Sequence, residues 1–352
     1  MFEINFGAVD PPVVFEAILK ATSPASNNST VPRVIECSSF VWHDGYLLIS
    51  SDRHDHGIFT YPLDLDKMAL GEPRYHVLLN NEQELFRDAE AITIRKQNDG
   101  RIYVYTQCSL SNNRYEMPQP ARRLMMRFAL KQLDPFTAED VVVFSTTKFR
   151  EEVDVHFKTI GVPPYYCFIQ EFPGSNKNTY RWGAVEGIAF APNSSILLCG
   201  MRNPQFKNNA IIFSVKGLDD AIDFLNPDRM EVIDFFTLDL GGRGFSDISW
   251  DPVTKGFLIT SGISNGPKLD SDKPYPPDNL DSALFWWSGR KDEQPILFAK
   301  MPDLSVEAIC RLGNSRFVAI GSDEGDESEG RNKLQSVLTI IDFTGLPATN
   351  KE

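Results

Sequence analysis

Three glutamates, Glu90, Glu186 and Glu307, hold the same place in a phrase that the chain repeats. The phrase reads D-A-E-A-I-T-I around Glu90, A-V-E-G-I-A-F around Glu186 and S-V-E-A-I-C around Glu307. Related phrases are C-S-S-F-V-W at Ser38 and F-S-D-I-S-W at Ser246 and Asp247. Carboxylates gathered about one axis repel each other. Such a cluster persists only if a cation, Arg or Lys neutralises it, or if it retains protons. A hard divalent cation with oxygen ligands, Ca²⁺ or Mg²⁺, held by Glu90, Glu186 and Glu307 is one solution. The fork-shaped guanidinium groups of Arg53, Arg202 and Arg243 offer the other, and the preferred one. A bound cation would polarise an ester, lactone or phosphoester and activate water. Asp52, His54 and Asp323 are then the candidate general bases, and nothing in the residues chooses among them.

Other constellations are weaker. His54 and His56 lie two apart in S-D-R-H-D-H-G, so an extended segment would point both imidazoles one way, but a zinc or copper site lacks its further ligands. Gly262-Ile-Ser-Asn-Gly matches a nucleophile elbow in letters only, because a Pro-rich stretch follows where that motif needs a helix. Gly241-Gly-Arg-Gly could cradle an anion with help from Arg243; a tight turn is the simpler reading. The acidic run from Ser322 lacks the residue order of a calcium-binding EF-hand loop. No phosphate-binding loop, dinucleotide fingerprint or zincin motif is present.

The elements that must position these residues are strands. Each phrase is followed within about ten residues by a second apolar run: Y-L-L-I-S-S-D from Tyr46, R-I-Y-V-Y-T from Arg101, S-I-L-L-C-G from Ser195, F-L-I-T-S-G from Phe257 and R-F-V-A-I-G from Arg316. Five such units predict an all-β fold, a β-propeller of four-stranded antiparallel blades around one axis. The phrases begin at 38, 90, 186, 246 and 307, giving gaps of 52, 96, 60 and 61 residues. The long gap leaves six blades as the alternative to five. Residues 147–180 read as an insertion with a short helix near Phe149, and an N-terminal strand among residues 2–20 is placed to close the ring. The whole chain, 1–352, reads as one domain. Equivalent positions in the blades should then form rings: Ser38, Glu90, Glu186, Ser246 with Asp247, and Glu307 at the phrase, and Asp52, Arg53, Ser109, Arg202 and Asp323 at the ends of the second strands.

Two segments carry a family resemblance. Residues 182–204 (W-G-A-V-E-G-I-A-F-A-P-N-S-S-I-L-L-C-G-M-R-N-P) and 238–262 (L-D-L-G-G-R-G-F-S-D-I-S-W-D-P-V-T-K-G-F-L-I-T-S-G) resemble the "IEGLA … LLLGLRSP" and "LGGRGIRDIAWD" segments of the family called domain of unknown function 3616. The resemblance runs from about Ser38 to Phe343. It implies a β-propeller and brings no established activity. Many members are exported, whereas no leader is visible here. More remotely, the Glu-Gly of the phrase is similar to the blade start of calcium-dependent lactonase and phytase-like propellers, a match too short for membership.

The 352 residues include 48 acidic and 35 basic ones, a net charge of −13. That disfavours nucleic acid and anionic membrane as partners, since both need a dense Lys/Arg surface. The Arg122, Arg123 and Arg127 group lies in an apolar segment and reads as strand decoration. The five cysteines show no zinc spacing, and their odd number speaks against a disulfide framework. They favour a reducing, cytoplasmic location, with an exported mature form left open. Functionally, the chain reads as a module that binds a small molecule or a protein through its loop-rich central face. The alternative is a hydrolase assisted by a divalent metal.

Overall fold

The computed structural model describes residues 11–19, 35–52, 54, 56–79, 86–97, 99–111, 119–159, 184–262, 281–302, 304–323 and 336–344. These form a five-bladed β-propeller. Strand β1 (Val13–Leu19) comes first in the chain but last in the ring. Blade one holds β2 (Cys37–His43), β3 (Tyr46–Ser51) and β4 (Gly57–Asp64), with the short β5 (Ala69–Leu70) and β6 (Arg74–Val77) both paired to β4. Blade two holds β7 (Ala89–Lys96), β8 (Ile102–Cys108), β9 (Leu124–Leu133) and β10 (Phe136–Ser145). Helix α1 (Thr147–Thr159) follows, where the sequence predicts a helix. Blade three holds β11 (Ala184–Phe190), β12 (Leu197–Phe206) and β13 (Asn209–Lys216), then helix α2 (Leu218–Asp223), then β14 (Glu231–Leu238). Blade four holds β15 (Gly244–Asp251), β16 (Gly256–Gly262), β17 (Ser282–Trp287) and β18 (Ile296–Met301). Blade five holds β19 (Val306–Arg311), β20 (Phe317–Asp323) and β21 (Ser336–Asp342), with β1 antiparallel to β21 as its outer strand. The six-bladed alternative fails. The 96 residues between the phrases at 90 and 186 complete blade two and supply α1, with no further sheet among the described residues.

The inner strands β2, β7, β11, β15 and β19 contact one another in a closed cycle. Five apolar clusters fill the five gaps between blades. Leu47, Ile49 and Phe59 of blade one meet Ala319, Leu338 and Ile340 of blade five. On their other side Leu48 and Ile58 meet Ile92, Val104 and Phe128 of blade two. Consecutive residues of one strand thus enter different clusters, because successive side chains leave opposite faces. That is why the central strands read as unbroken apolar runs rather than as alternation. Each fully buried Leu or Ile contributes about 1.5–3 kcal/mol, so the ring closes on packing.

The repeated phrase has a structural cause. In every inner strand the pairing register shifts at an equivalent residue, between Cys37 and Ser39, Ala89 and Ala91, Val185 and Gly187, Phe245 and Asp247, and Val306 and Ala308, with a second shift in β11 between Ala184 and Val185. The skipped residues are Ser38, Glu90, Glu186, Ser246 and Glu307. A β-bulge leaves one residue unpaired and re-aims its side chain, so each blade presents one such side chain. The small residue that follows is also required. A Cβ on Gly187 would sit 2.7 Å from the Ile248 nitrogen and 2.9 Å from Asp247 backbone carbon, atoms of the next inner strand. Among the described residues, no helix is long and apolar enough to cross a membrane.

Candidate functional site

The bulges lie at the N-terminal ends of the inner strands, beside the C-terminal ends of the second strands. Arg202 arrives there on β12, whose pairing with β13 shifts register between Gly200 and Gln205, the stretch that carries it. Its Nη2 donates to Glu307 Oε2, and to Ser246 Oγ at 3.0 Å. Its Nε donates to the Phe245 carbonyl at 3.5 Å and lies 4.0 Å from Glu186 Oε1. One guanidinium therefore ties together the bulge residues of blades three, four and five. Ser305 Oγ adds a 3.4 Å bond to the other oxygen of Glu307.

Among the described residues one arginine faces the three glutamates, and the titration of the carboxyls reflects their mutual repulsion. Burial pushes Glu90 well above the usual carboxylate range, and Glu186, Asp88 and Asp52 push it further against the opposing pull of Arg202. Burial also pushes Glu307 up to about 7, with Arg202 holding it lower than burial alone would. For Arg202 itself burial works against the charge, but Glu186, Glu307 and Glu90 more than offset it and leave the guanidinium harder to deprotonate than usual. The raised pKa of Glu90 reflects burial first and the neighbouring carboxyls second.

Asp247, beside bulge residue Ser246, is 1% exposed. Its Oδ1 accepts from the Ile248 N–H at 2.8 Å and its Oδ2 from the Ile309 N–H of the next blade at 3.0 Å. Burial still raises its pKa well above the carboxylate range, against the lowering effect of those bonds and of one to Ser39. Ser39 does the equivalent work in blade one, accepting from the Ile92 N–H at 3.3 Å. Asp247 is therefore a clamp between inner strands, one layer away from the glutamates.

The other sequence-predicted residues divide. Ser38 Oγ accepts from the Asp52 N–H at 3.2 Å, which holds Asp52 beside the ring and lets it act electrostatically on Glu90. Asp323 sits at the end of β20 and raises Glu307. His54, a candidate base, is packed instead: its ring lies edge-on to Phe59 at 4.7 Å and 5.5 Å from Tyr75, and Ser51 Oγ meets its Nδ1 at 3.2 Å. Arg243 is 7% exposed and donates to the carbonyls of Asp281, Leu240 and Gly241. It closes the turn at Gly241 and Gly242, both at positive φ, where the sequence also allowed an anion cradle. Arg53 lies outside the described residues, as do most of the G-x-S-x-G stretch and of the acidic run. Of the three glutamates, Glu307 is bonded to Arg202, and among the described residues there is no group of three or more His, Cys, Asp or Glu that could hold a metal ion.

Two participants escape a reading of single motifs. Asp88, at positive φ just before β7, accepts from Ser109 Oγ and lies 3.0 Å from Arg122 Nη1. Arg122, read from sequence as strand decoration, sits instead in a 3-10 turn and also donates to Ser111 Oγ at 2.9 Å. The available signal was the D in D-A-E-A, two residues before Glu90. The cluster Asp88–Ser109–Ser111–Arg122 lies in the same blade as Glu90.

No family model matches the chain, and no curated protein matches it. Solved structures align with it at low similarity. A luciferin-regenerating enzyme aligns over 96% of this chain and 82% of its own, at 10% identity and a TM-score of 0.38. A GH43 β-1,3-galactosidase aligns over 92% of this chain and 60% of its own, at 7% identity and a TM-score of 0.45. A GH43 enzyme from Xanthomonas citri aligns over 87% of both chains, at 10% identity and a TM-score of 0.43. At such values no residue role or activity is carried over from these proteins.

Proposed function

We propose that this propeller is a binding module whose ligand presents positive charge to the ring formed by Glu90, Glu186 and Glu307. One observation carries the reading: five bulges aim one side chain per blade, three of the five are carboxyls, and among the described residues one arginine faces them. An ammonium or guanidinium group would add positive charge to that of Arg202 and would lower the raised pKa of Glu90. Proton and ligand then compete, so affinity rises with pH by up to about tenfold per unit for each proton released, and levels off above the carboxyl pKa. For Glu307 that point is about 7. The same propeller as a metal-assisted hydrolase is the rival, with a divalent cation in place of the organic one.

Thermal unfolding with added agmatine, Ca²⁺ or Mg²⁺ separates the two. A ligand that binds only the native state raises apparent stability by about 2.7 kcal/mol at a hundredfold excess over its Kd. Agmatine should raise the midpoint of the native chain more at pH 8 than at pH 6, and Glu186→Gln should abolish the shift. A shift with Ca²⁺ or Mg²⁺ that Glu186→Gln abolishes favours the rival. Equal shifts in the native chain and in Glu186→Gln overturn both.

A further inference from the structure

We propose that the opposite mouth of the channel is a second site, built for a small organic anion with a flat apolar body. This end is formed by the C-terminal ends of the inner strands and the turns that follow them. It encloses a cavity of ≈ 1090 Å³ lined from all five blades. Small-molecule sites occupy roughly 300–1,000 Å³, so the cavity admits a ligand at the upper end of that range.

The lining defines the chemistry. It contains no Asp or Glu, although the chain carries a net charge of −13. Four basic residues reach it. Two are already neutralised: Arg311 grips Asp251 through bonds of 2.6 and 3.0 Å with both side chains fully buried, and Arg95 pairs with Asp219. The other two, Lys96 of blade two and Lys255 of blade four, are exposed and make no ion pair with any described residue. Trp42 and Trp250 supply the apolar wall. Both are half-buried, and neither indole N–H bonds a described residue, whereas those of Trp286 and Trp287 do. Asn193 and Asn314 add amide donors. Two ammonium groups and two indole N–H donors with no partner among the described residues, together with aromatic faces, select a carboxylate, sulfonate or phosphate attached to a ring. A cationic ligand would meet the two lysines and no carboxylate. This site shares no residue with the glutamate ring and stands independently of the function proposed there.

The test uses 8-anilinonaphthalene-1-sulfonate, with N-phenyl-1-naphthylamine as the same ring system without the anion. Fluorescence titration of the folded chain should show the sulfonate saturating one site and the neutral analogue binding at least about tenfold more weakly. The double substitution Lys96→Gln with Lys255→Gln should weaken the sulfonate by about tenfold or more and leave the neutral probe unchanged, and added salt should act in the same direction. Both lysines are exposed, so the double variant should keep the native melting temperature. Trp250→Leu should weaken both probes. Equal binding of the two probes, unchanged sulfonate binding in the lysine variant, or uptake that never saturates would each overturn the proposal.

Discussion

Removing the Arg202 guanidinium, for instance as Arg202→Met, should cost stability in a way that depends on pH. The substitution deletes the bonds to Glu307 and Ser246 and the 4.0 Å approach to Glu186, and leaves the side chain's apolar stem in place. Removing one partner of a buried ion pair costs about 3–5 kcal/mol when the other stays charged. Here the carboxyls can avoid that charge by keeping protons. In the native protein Glu307 titrates at about 7 because Arg202 opposes burial and the neighbouring carboxylates. Its pKa in the folded state lies above that of an unfolded glutamate, about 4.3. The folded chain therefore binds the extra proton, and stability falls as pH rises through this window, until Glu307 ionises near 7 and the fall from this group ends. Without Arg202 the folded-state pKa moves higher and the fall continues. Each further pH unit then costs about 1.4 kcal/mol relative to the native chain. Between about pH 7 and 9 the gap between variant and native chain should widen by up to ~3 kcal/mol, while at about pH 5, where Glu307 is protonated in both, it should be at its smallest. Urea unfolding followed by far-ultraviolet circular dichroism at each pH measures the gap directly. A destabilisation that is the same at every pH would refute the view that Arg202 acts by holding ionised carboxylates, and would leave it a packing residue.

Three further outcomes follow from the geometry. Asp251→Leu should cost about 3–5 kcal/mol in urea unfolding by stranding buried Arg311, and adding Arg311→Met should recover much of that loss, since two apolar groups leave no unpaired charge. Gly187→Ala should destabilise by about 1–3 kcal/mol, because the new methyl meets backbone of the adjacent inner strand rather than a movable side chain. Cys37, Cys108, Cys199 and Cys310 are all buried. Burial pushes the thiols of Cys37, Cys199 and Cys310 up, so in a Cys167→Ser background a thiol reagent at neutral pH should label the chain only after unfolding.

The ring of glutamates was legible because a bulge at one fixed place per blade forces a recurring phrase, a turned-in side chain followed by a small residue and an apolar strand. Glu90-Ala, Glu186-Gly and Glu307-Ala share it outright. In Ser246-Asp247 the second position is not small, and there the structure explains the exception: the Asp247 carboxylate replaces close backbone contact with a bond to the Ile309 N–H. Arg202 could be placed near the ring from its position at a strand end. Its bond to Glu307 rather than Glu90 could not, because Glu90 lies on the adjacent blade two whereas Glu307 lies on blade five, which does not neighbour blade three in the ring. The Asp251–Arg311 pair joins residues 60 apart and obeys no local rule. His54 was misleading for a related reason: ligand-forming residue types cluster in S-D-R-H-D-H-G, but the aromatic rings that claim the imidazole come from β4 and the stretch after it.

The two ends of one strand set differ in sign, and the overall charge conceals it. Every inner strand runs in the same direction along the channel, so all five N-terminal ends share one mouth and all five C-terminal ends share the other. The bulge fixes the first set and gives it a common sequence signature. The second set ends in turns, where any polar residue is tolerated, so Lys96, Lys255 and Asn314 share no pattern by which sequence alone could gather them. A net charge of −13 says nothing about a cavity only a few side chains wide. At that scale sign is set by which charges are left after pairing. Among the described residues three glutamates face Arg202 at one mouth, and Lys96 and Lys255 make no ion pair at the other. A channel polarised in this way draws ligands of opposite charge to opposite faces, so agmatine and the naphthalene sulfonate should bind the same molecule together without competing.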